Sequence, residues 1–515
     1  MTLHDARGHA RWLALSLALF LPLLALIRAS GGPLTAGVAA AQRADVQVWA
    51  IGGPGADEAR QLVVDASGNE YLAGVFSGSI DVDPGPEAAL LAGAGEQDIF
   101  VAKYGPDGGV RWAWSVGGAR HDEVRALAVD PSGNVYIAGS IVGEVDFAPG
   151  DATAVVPGGP SRLAFVAKYD PDGALVWVTP LELAGDSEVL ALAFDRTGNA
   201  FAAGWTGLTP VTDPAGWASA GPGTVQRGDA FVLRLEPSGR LAWSAVLPTR
   251  SEGVAPLALA VDGAGDLYVA AAYTGALRVT VGSGTIDHTS VGGADVALLK
   301  LTPAGGLLWS QTVGGPGHDV PGTSGVAVDT DGNVVVTGTF DDLLDAAGDG
   351  VNPLVGNGAG DLFVVSFAAD GAYRWAASLG GPGRDGGQAV AVDAARYVYV
   401  SGWFAGVPTM DPAADGSVLV GRGQNDATDV LLAKFSPSGE LAWVRGLGGS
   451  VSGPGQSSAG TTLAVDGRGD VRLGGRFFGA DVDVDTGPGV AILSSRGASD
   501  VFVARFGPDG ALLRR

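Results

Sequence analysis

The sequence predicts an all-β protein: a seven-bladed β-propeller with four antiparallel strands per blade, its ring closed by the N-terminal strand joining the last blade. Three observations predict it. A pattern of about 65 residues recurs seven times, each copy holds four short apolar runs between turn signals, and the two ends of the chain carry complementary parts of one copy.

The period is read from the aspartate that ends an "AVD" segment, at Asp65, Asp130, Asp195, Asp262, Asp329, Asp393 and Asp466, spaced by 64 to 73 residues. Glycine (84) and proline (29) recur in register with it, so they mark turns rather than disorder. Within each copy the four runs are the "AVD" run, a "VYVAG" run, an "FVAKY" run and a run carrying Trp112, Trp177, Trp243, Trp309, Trp375 or Trp443. Runs of four to six Val, Tyr, Phe and Ala bounded by Gly, Asn, Asp and Pro suit strands and are too short for amphipathic helices. Many are apolar on both alternations, as in Phe100-Val101-Ala102, which requires sheets covered on both faces. Radially stacked blades meet that requirement, and an open β-solenoid is the runner-up.

The chain ends favour closure. Val46 to Gly53 (VQVWAIGG) matches the later part of the Trp run, and Phe502 to Arg515 supplies the run before it together with the start of that same Trp run. With the N-terminal strand outermost in the last blade, the order from the axis outward is AVD, VYVAG, FVAKY and Trp strand. The tight turns DPSGN (Asp130 to Asn134) and DPDG (Asp170 to Gly173) then share one face, and the long loops gather on the other, where binding normally resides.

Residues 1–41 read as a secretory leader preceding a propeller at 42–515. Arg7 and Arg11 precede an apolar run from Trp12 to Ile27, and Ala39-Ala40-Ala41 offers a small-residue cleavage site; an uncleaved anchor is the alternative. An extracytoplasmic location (periplasm, cell surface or secreted) follows. A formal net charge of -24 opposes phosphate backbones and anionic lipids, so no nucleic acid is expected, and contact with a membrane only through an uncleaved leader. Cysteine is absent, which excludes disulfides and thiolate metal sites.

The whole repeat resembles the bacterial seven-bladed β-propeller repeat abbreviated SBBP, through GGARHDEVRALAVDPSGNVYIAG (Gly117 to Gly139) and RLAFVAKYDPDGALVW (Arg162 to Trp177). The likeness covers nearly all of the chain after the leader. It departs at Ser366, where most copies carry Lys or Arg, and at Ala394 to Val400, which lack the usual SGN turn. The resemblance implies an adhesion, scaffold or display module without a common catalytic residue set.

Candidate site residues fall into three groups. Asp57, Asp122, Asp319 and Asp385 follow a Gly-Gly turn, with His121 and His318 preceding two of them. They are expected at the channel mouth, where carboxylate and imidazole could bind a divalent metal or do acid–base chemistry; capping of the turn is the structural alternative. Asp81 and Asp83, with Asp481, Asp483 and Asp485, alternate as in a calcium loop, against the alternative of a solvated acidic turn. Trp205, Trp217 and Trp403 lie outside the repeat Trp position and could stack on a ligand or pack on a neighbouring loop. The repeat aspartates themselves are expected to cap turns.

The near-uniform repeats favour an exported, non-catalytic binding or scaffold module that presents an acidic loop face to a protein or glycan, with calcium as the one candidate cofactor. A propeller hydrolase or lyase acting at the channel mouth is the alternative.

Overall fold

The apolar runs form strands, most of them seven residues long, and no helix occurs among the described residues. The computed structural model describes residues 47–148, 153–208, 229–247, 257–281, 284–406, 428–448, 458–479, 482–486 and 489–513; the leader lies outside them. Every repeat folds into a four-stranded antiparallel sheet in chain order, and seven such units follow one another, the fifth and sixth joined by a single parallel bridge between Ser324 and Ala389. In the first, Glu58–Val64, Glu70–Phe76, Asp98–Tyr104 and Val110–Val116 lie side by side. The last consists of Ala459–Val465, Val471–Phe477, Asp500–Phe506 and, as its fourth strand, Val48–Ile51, with Val48 opposite Ala504 and Ile51 opposite Val501.

The architecture is that of a β-propeller. Its middle strands are buried on both faces: all seven residues of Val135–Ile141 are buried, whereas the first strand of a sheet mixes buried and accessible positions. The apolar core is divided into seven clusters, and each straddles two consecutive sheets. One of them joins Trp49, Ile51, Val501 and Val503 of the last sheet to Ala59, Leu62 and Leu72 of the first. There too, the Leu62 amide donates to Thr462 Oγ1 (2.8 Å) and Arg505 Nη1 donates to the Pro106 carbonyl (3.0 Å).

A recurrent bond staples neighbouring sheets. The indole N–H of Trp112, Trp177, Trp243, Trp309, Trp375 and Trp443 donates to a carbonyl in the outer turn of the next sheet, at 3.0–3.1 Å. The turn glycine lies against that indole: Gly439, at φ +88°, leaves no room for a Cβ beside Trp375. Inside each sheet the AVD aspartate closes the tight turn. Asp65 Oδ1 accepts from the amides of Ser67 and Asn69, and Oδ2 accepts from the Asn69 side chain and the Tyr71 hydroxyl.

The long loops carry structure of their own. Four contain a short hairpin, such as Ser79–Asp81 with Leu90–Ala92, and in the fourth sheet the two middle strands run on as one continuous hairpin, Leu267–Val281 with Gly284–Leu301.

Candidate functional site

The first strand of a sheet would normally alternate its side chains between the two flanking sheets. In six of the seven it does not, because the ladder is interrupted around the residue five before the repeat aspartate, by a single bulged residue in five sheets and by the four residues Gly322 to Gly325 in the fifth sheet. A bulged residue has no partner across the ladder and is re-aimed by the local kink. The bulged positions hold Arg60, Arg125, Leu190, Ser324, Gln388 and Thr461. Five of them line one cavity of about 740 Å³, to which the first, second, third, fifth, sixth and seventh sheets or their loops contribute. Such a volume suits a small ligand or a few side chains of a partner.

A second register position opens onto the same place. The residue after the small residue of the VYVAG strand is Val75, Ser140, Trp205, Ala272, Thr339, Trp403 or Arg476. Trp403 and Arg476 line the cavity, while Trp205 Nε1 (3.2 Å) and Ser140 Oγ (3.4 Å) donate to Glu188 in its wall.

Charge in the cavity is organised as a chain of alternating sign. Arg476 pairs with Glu58 (3.3 Å), Glu58 with Arg60 (2.6 Å), Arg60 with Glu123 (2.7 Å), Glu123 with Arg125 (3.7 Å), Arg125 with Glu188 (3.0 Å) and Glu188 with Arg162 (3.4 Å). Burial opposes the charge on Arg125, but Glu188 and Glu123 beside it outweigh that and raise its pKa. Arg384 completes the basic lining; it is exposed and has no ion pair among the described residues.

The Gly-Gly-associated aspartates are placed differently from the expectation that they face the channel mouth. Asp57, Asp122, Asp319 and Asp385 are buried, and Oδ2 of each accepts the amide of the second glycine of its doublet, at 2.6–2.7 Å. The physical reason lies in the doublet. The first glycine abuts a second buried carboxylate, so that a Cβ on Gly117 would fall 1.8 Å from Asp98 Oδ1, and the second abuts the backbone of the next long loop. The turn is thereby drawn inward onto its own aspartate. Burial raises Asp57 and Asp319 to about 7 and Asp122 and Asp385 to about 6, with Asp500, Asp295, Asp98 and Asp361 adding like-charge repulsion.

The histidines are not brought together into one group. His121 is half-exposed, 3.7 Å from Glu123 at the edge of the charged chain, and His318 Nδ1 accepts the Ala294 amide in another sheet. Among the acidic loop residues, Asp81 Oδ1 accepts the amides of Asp83 and Ala89, Asp83 Oδ1 accepts that of Gly85, and Asp483 Oδ1 accepts those of Asp485 and Ala491. These carboxylates close hairpin turns, and among the described residues no three acidic or histidine side chains are placed to hold a metal. Asp481 and Trp217 lie outside the described residues.

Arg60, Arg125, Arg162, Arg384 and Arg476 were not among the sequence candidates. A search for repeated chemistry passes over them, since they mark positions where the repeats differ. The usable signal is the register column five before each repeat aspartate, which varies through Arg, Leu, Ser, Gln and Thr.

No family model matches the chain. A WD repeat-containing protein of Acanthamoeba polyphaga mimivirus, L264, is 27% identical over 173 residues, which span 32% of this chain and 12% of the viral protein. Among solved structures, the WD40 domain of Neurospora crassa Pan2 aligns over 90% of this chain and 92% of its own, at 10% identity and a TM-score of 0.38. A Bacteroides caccae protein of unknown function aligns over 67% of this chain and 89% of its own, at 12% identity and a TM-score of 0.33.

Proposed function

We propose that the protein is an exported, non-catalytic binding module: a seven-bladed wheel, closed by its N-terminal strand, that presents its long-loop face to a protein partner. The observation that carries this reading is the convergence of two chemically varied register columns on one cavity, in sheets whose remaining positions are nearly uniform. A scaffold that repeats everywhere except around its inner opening concentrates its individuality there. Closure is supported by the seventh core cluster, since an open stack of seven sheets has only six interfaces. The net charge of -24 supports the further reading that the loop face around the cavity is acidic.

The hydrolase or lyase alternative draws nothing from the buried aspartates, whose carboxylates are engaged by turn amides. Export rests on the leader alone and is checked by fractionating producing cells and sequencing the mature amino terminus. The binding reading is tested by placing a photo-crosslinking phenylalanine derivative at Trp403, on the cavity wall, and at Asp172, in an exposed outer turn on the opposite face. Crosslinks to a defined protein from position 403 and none from 172 are expected; equal labelling from both positions, or none from 403, overturns the assignment.

A further inference from the structure

We infer that the cavity is a receptor for carboxylates, and that its occupant is an acidic peptide segment whose carboxylates sit between Arg60, Arg125, Arg162, Arg384 and Arg476. This rests on the binding reading above and specifies the chemistry that the partner must offer. Among the described residues five guanidinium groups face three glutamates, Glu58, Glu123 and Glu188, within a chain of strongly negative total charge. The two signs also lie at different depths. The Glu123 and Glu188 side chains are 4% and 1% exposed, whereas those of Arg60, Arg125, Arg162 and Arg476 are 20–36% exposed.

Glu123 and Glu188 therefore hold the guanidinium groups from a deeper level, while Glu58, 17% exposed, lies level with Arg60 on the lining and the more exposed cationic faces turn to the cavity. A guanidinium carries five N–H donors in a planar fork. One glutamate engages one edge, and a second carboxylate from outside can take another. Orienting these arginines in advance removes much of the side-chain entropy cost of binding. Leu190, Ala459 and Trp403 supply apolar wall between the charges, which fits a peptide alternating acidic and apolar residues. A sulfated or uronic glycan carries anionic groups along its whole length and would extend them across a surface of strongly negative net charge, whereas a peptide can confine its charge to the opening.

The probe is a rhodamine-labelled pentapeptide, acetyl-Gly-Glu-Leu-Glu-Gly, followed by fluorescence anisotropy against its Gln-for-Glu counterpart. The acidic peptide is expected to bind, to weaken with added salt, and to exceed the neutral peptide by about tenfold or more. Arg384→Gln, at an exposed position without an ion pair among the described residues, is expected to weaken binding by about fivefold and leave the melting temperature unchanged. Arg60→Lys and Arg125→Lys keep the charge but lose the fork, and are expected to weaken binding while the glutamates stay paired.

Equal binding of the two peptides, binding indifferent to all three substitutions, or preference for a heparin oligosaccharide would each overturn the inference. A crosslink from position 403 to a partner whose affinity ignores the arginines would leave the binding reading standing and remove this one.

Discussion

Asp57 and Asp319 carry pKa values of about 7 against an ordinary value of 3.8, because burial penalises their charged forms. A carboxyl raised in the folded state adds stability that is complete below its unfolded pKa and is lost as pH rises through the folded one. The melting temperature is therefore expected to fall between about pH 4 and pH 7. In the double variant Asp57→Asn, Asp319→Asn the amide oxygen can still accept the glycine N–H without a charge to bury. Differential scanning calorimetry across that range should show a flatter profile and a higher melting temperature at the alkaline end; an unchanged slope would assign the dependence to other groups. Arg396 offers a second local test. It adopts φ +67° where the equivalent turns use Gly68, Gly133, Gly198, Gly265, Gly332 and Gly469. A left-handed conformation costs a residue with a Cβ about 1–2 kcal/mol, offset here in part by an exposed ion pair with Asp331. Arg396→Gly is expected to stabilise the protein by up to about 1 kcal/mol in urea melts.

Strand identity was legible because the turn chemistry repeats: Asp65 and its equivalents, the positive-φ glycine after six of the seven, and apolar runs on both alternations leave little choice of element. What a strand does at a bulge was not legible, since reading by alternation puts Arg60 or Gln388 on a sheet face and only the interrupted ladder turns it elsewhere. The long loops hid their hairpins for a related reason, as Ser79–Asp81 and Leu90–Ala92 are too short and too accessible to carry a pattern. The Trp staple makes a prediction at this level. Trp375→Phe keeps the packing on Gly439 but removes the N–H donated to Pro437, at an expected cost of about 1 kcal/mol. Gly439→Ala places a Cβ 2.6 Å from that indole at φ +88°, and is expected to cost more than Trp375→Phe in the same urea melts.

Across the described residues, stability is distributed over apolar clusters that each straddle two sheets rather than gathered in one core. Leu62, 1% exposed, lies in the cluster between the last and first sheets, and Leu267, fully buried, lies in that between the third and fourth. Leu62→Ala and Leu267→Ala are each expected to cost about 2–5 kcal/mol, in a single cooperative transition. A small effect at Leu62 beside a large one at Leu267 would mean that the first and last sheets part easily. Removing divalent cations with a chelator is expected to leave the melting temperature unchanged, because the Asp81 and Asp483 carboxylates already accept amide hydrogens.

The bulges separate two demands that proteins usually satisfy with the same residues. Arg60, Leu190, Gln388 and Thr461 sit where the ladder skips a pairing, so replacing one leaves the backbone register and the Trp staples in place, and what changes is confined to side-chain contacts such as Thr461 with the Ala59 carbonyl and Leu190 in its apolar cluster. The wheel thus behaves as a frame around a short, rewritable inscription: lineages sharing the frame can diverge in what they hold, and an engineer can respell the ring of letters without redesigning the metalwork that carries it.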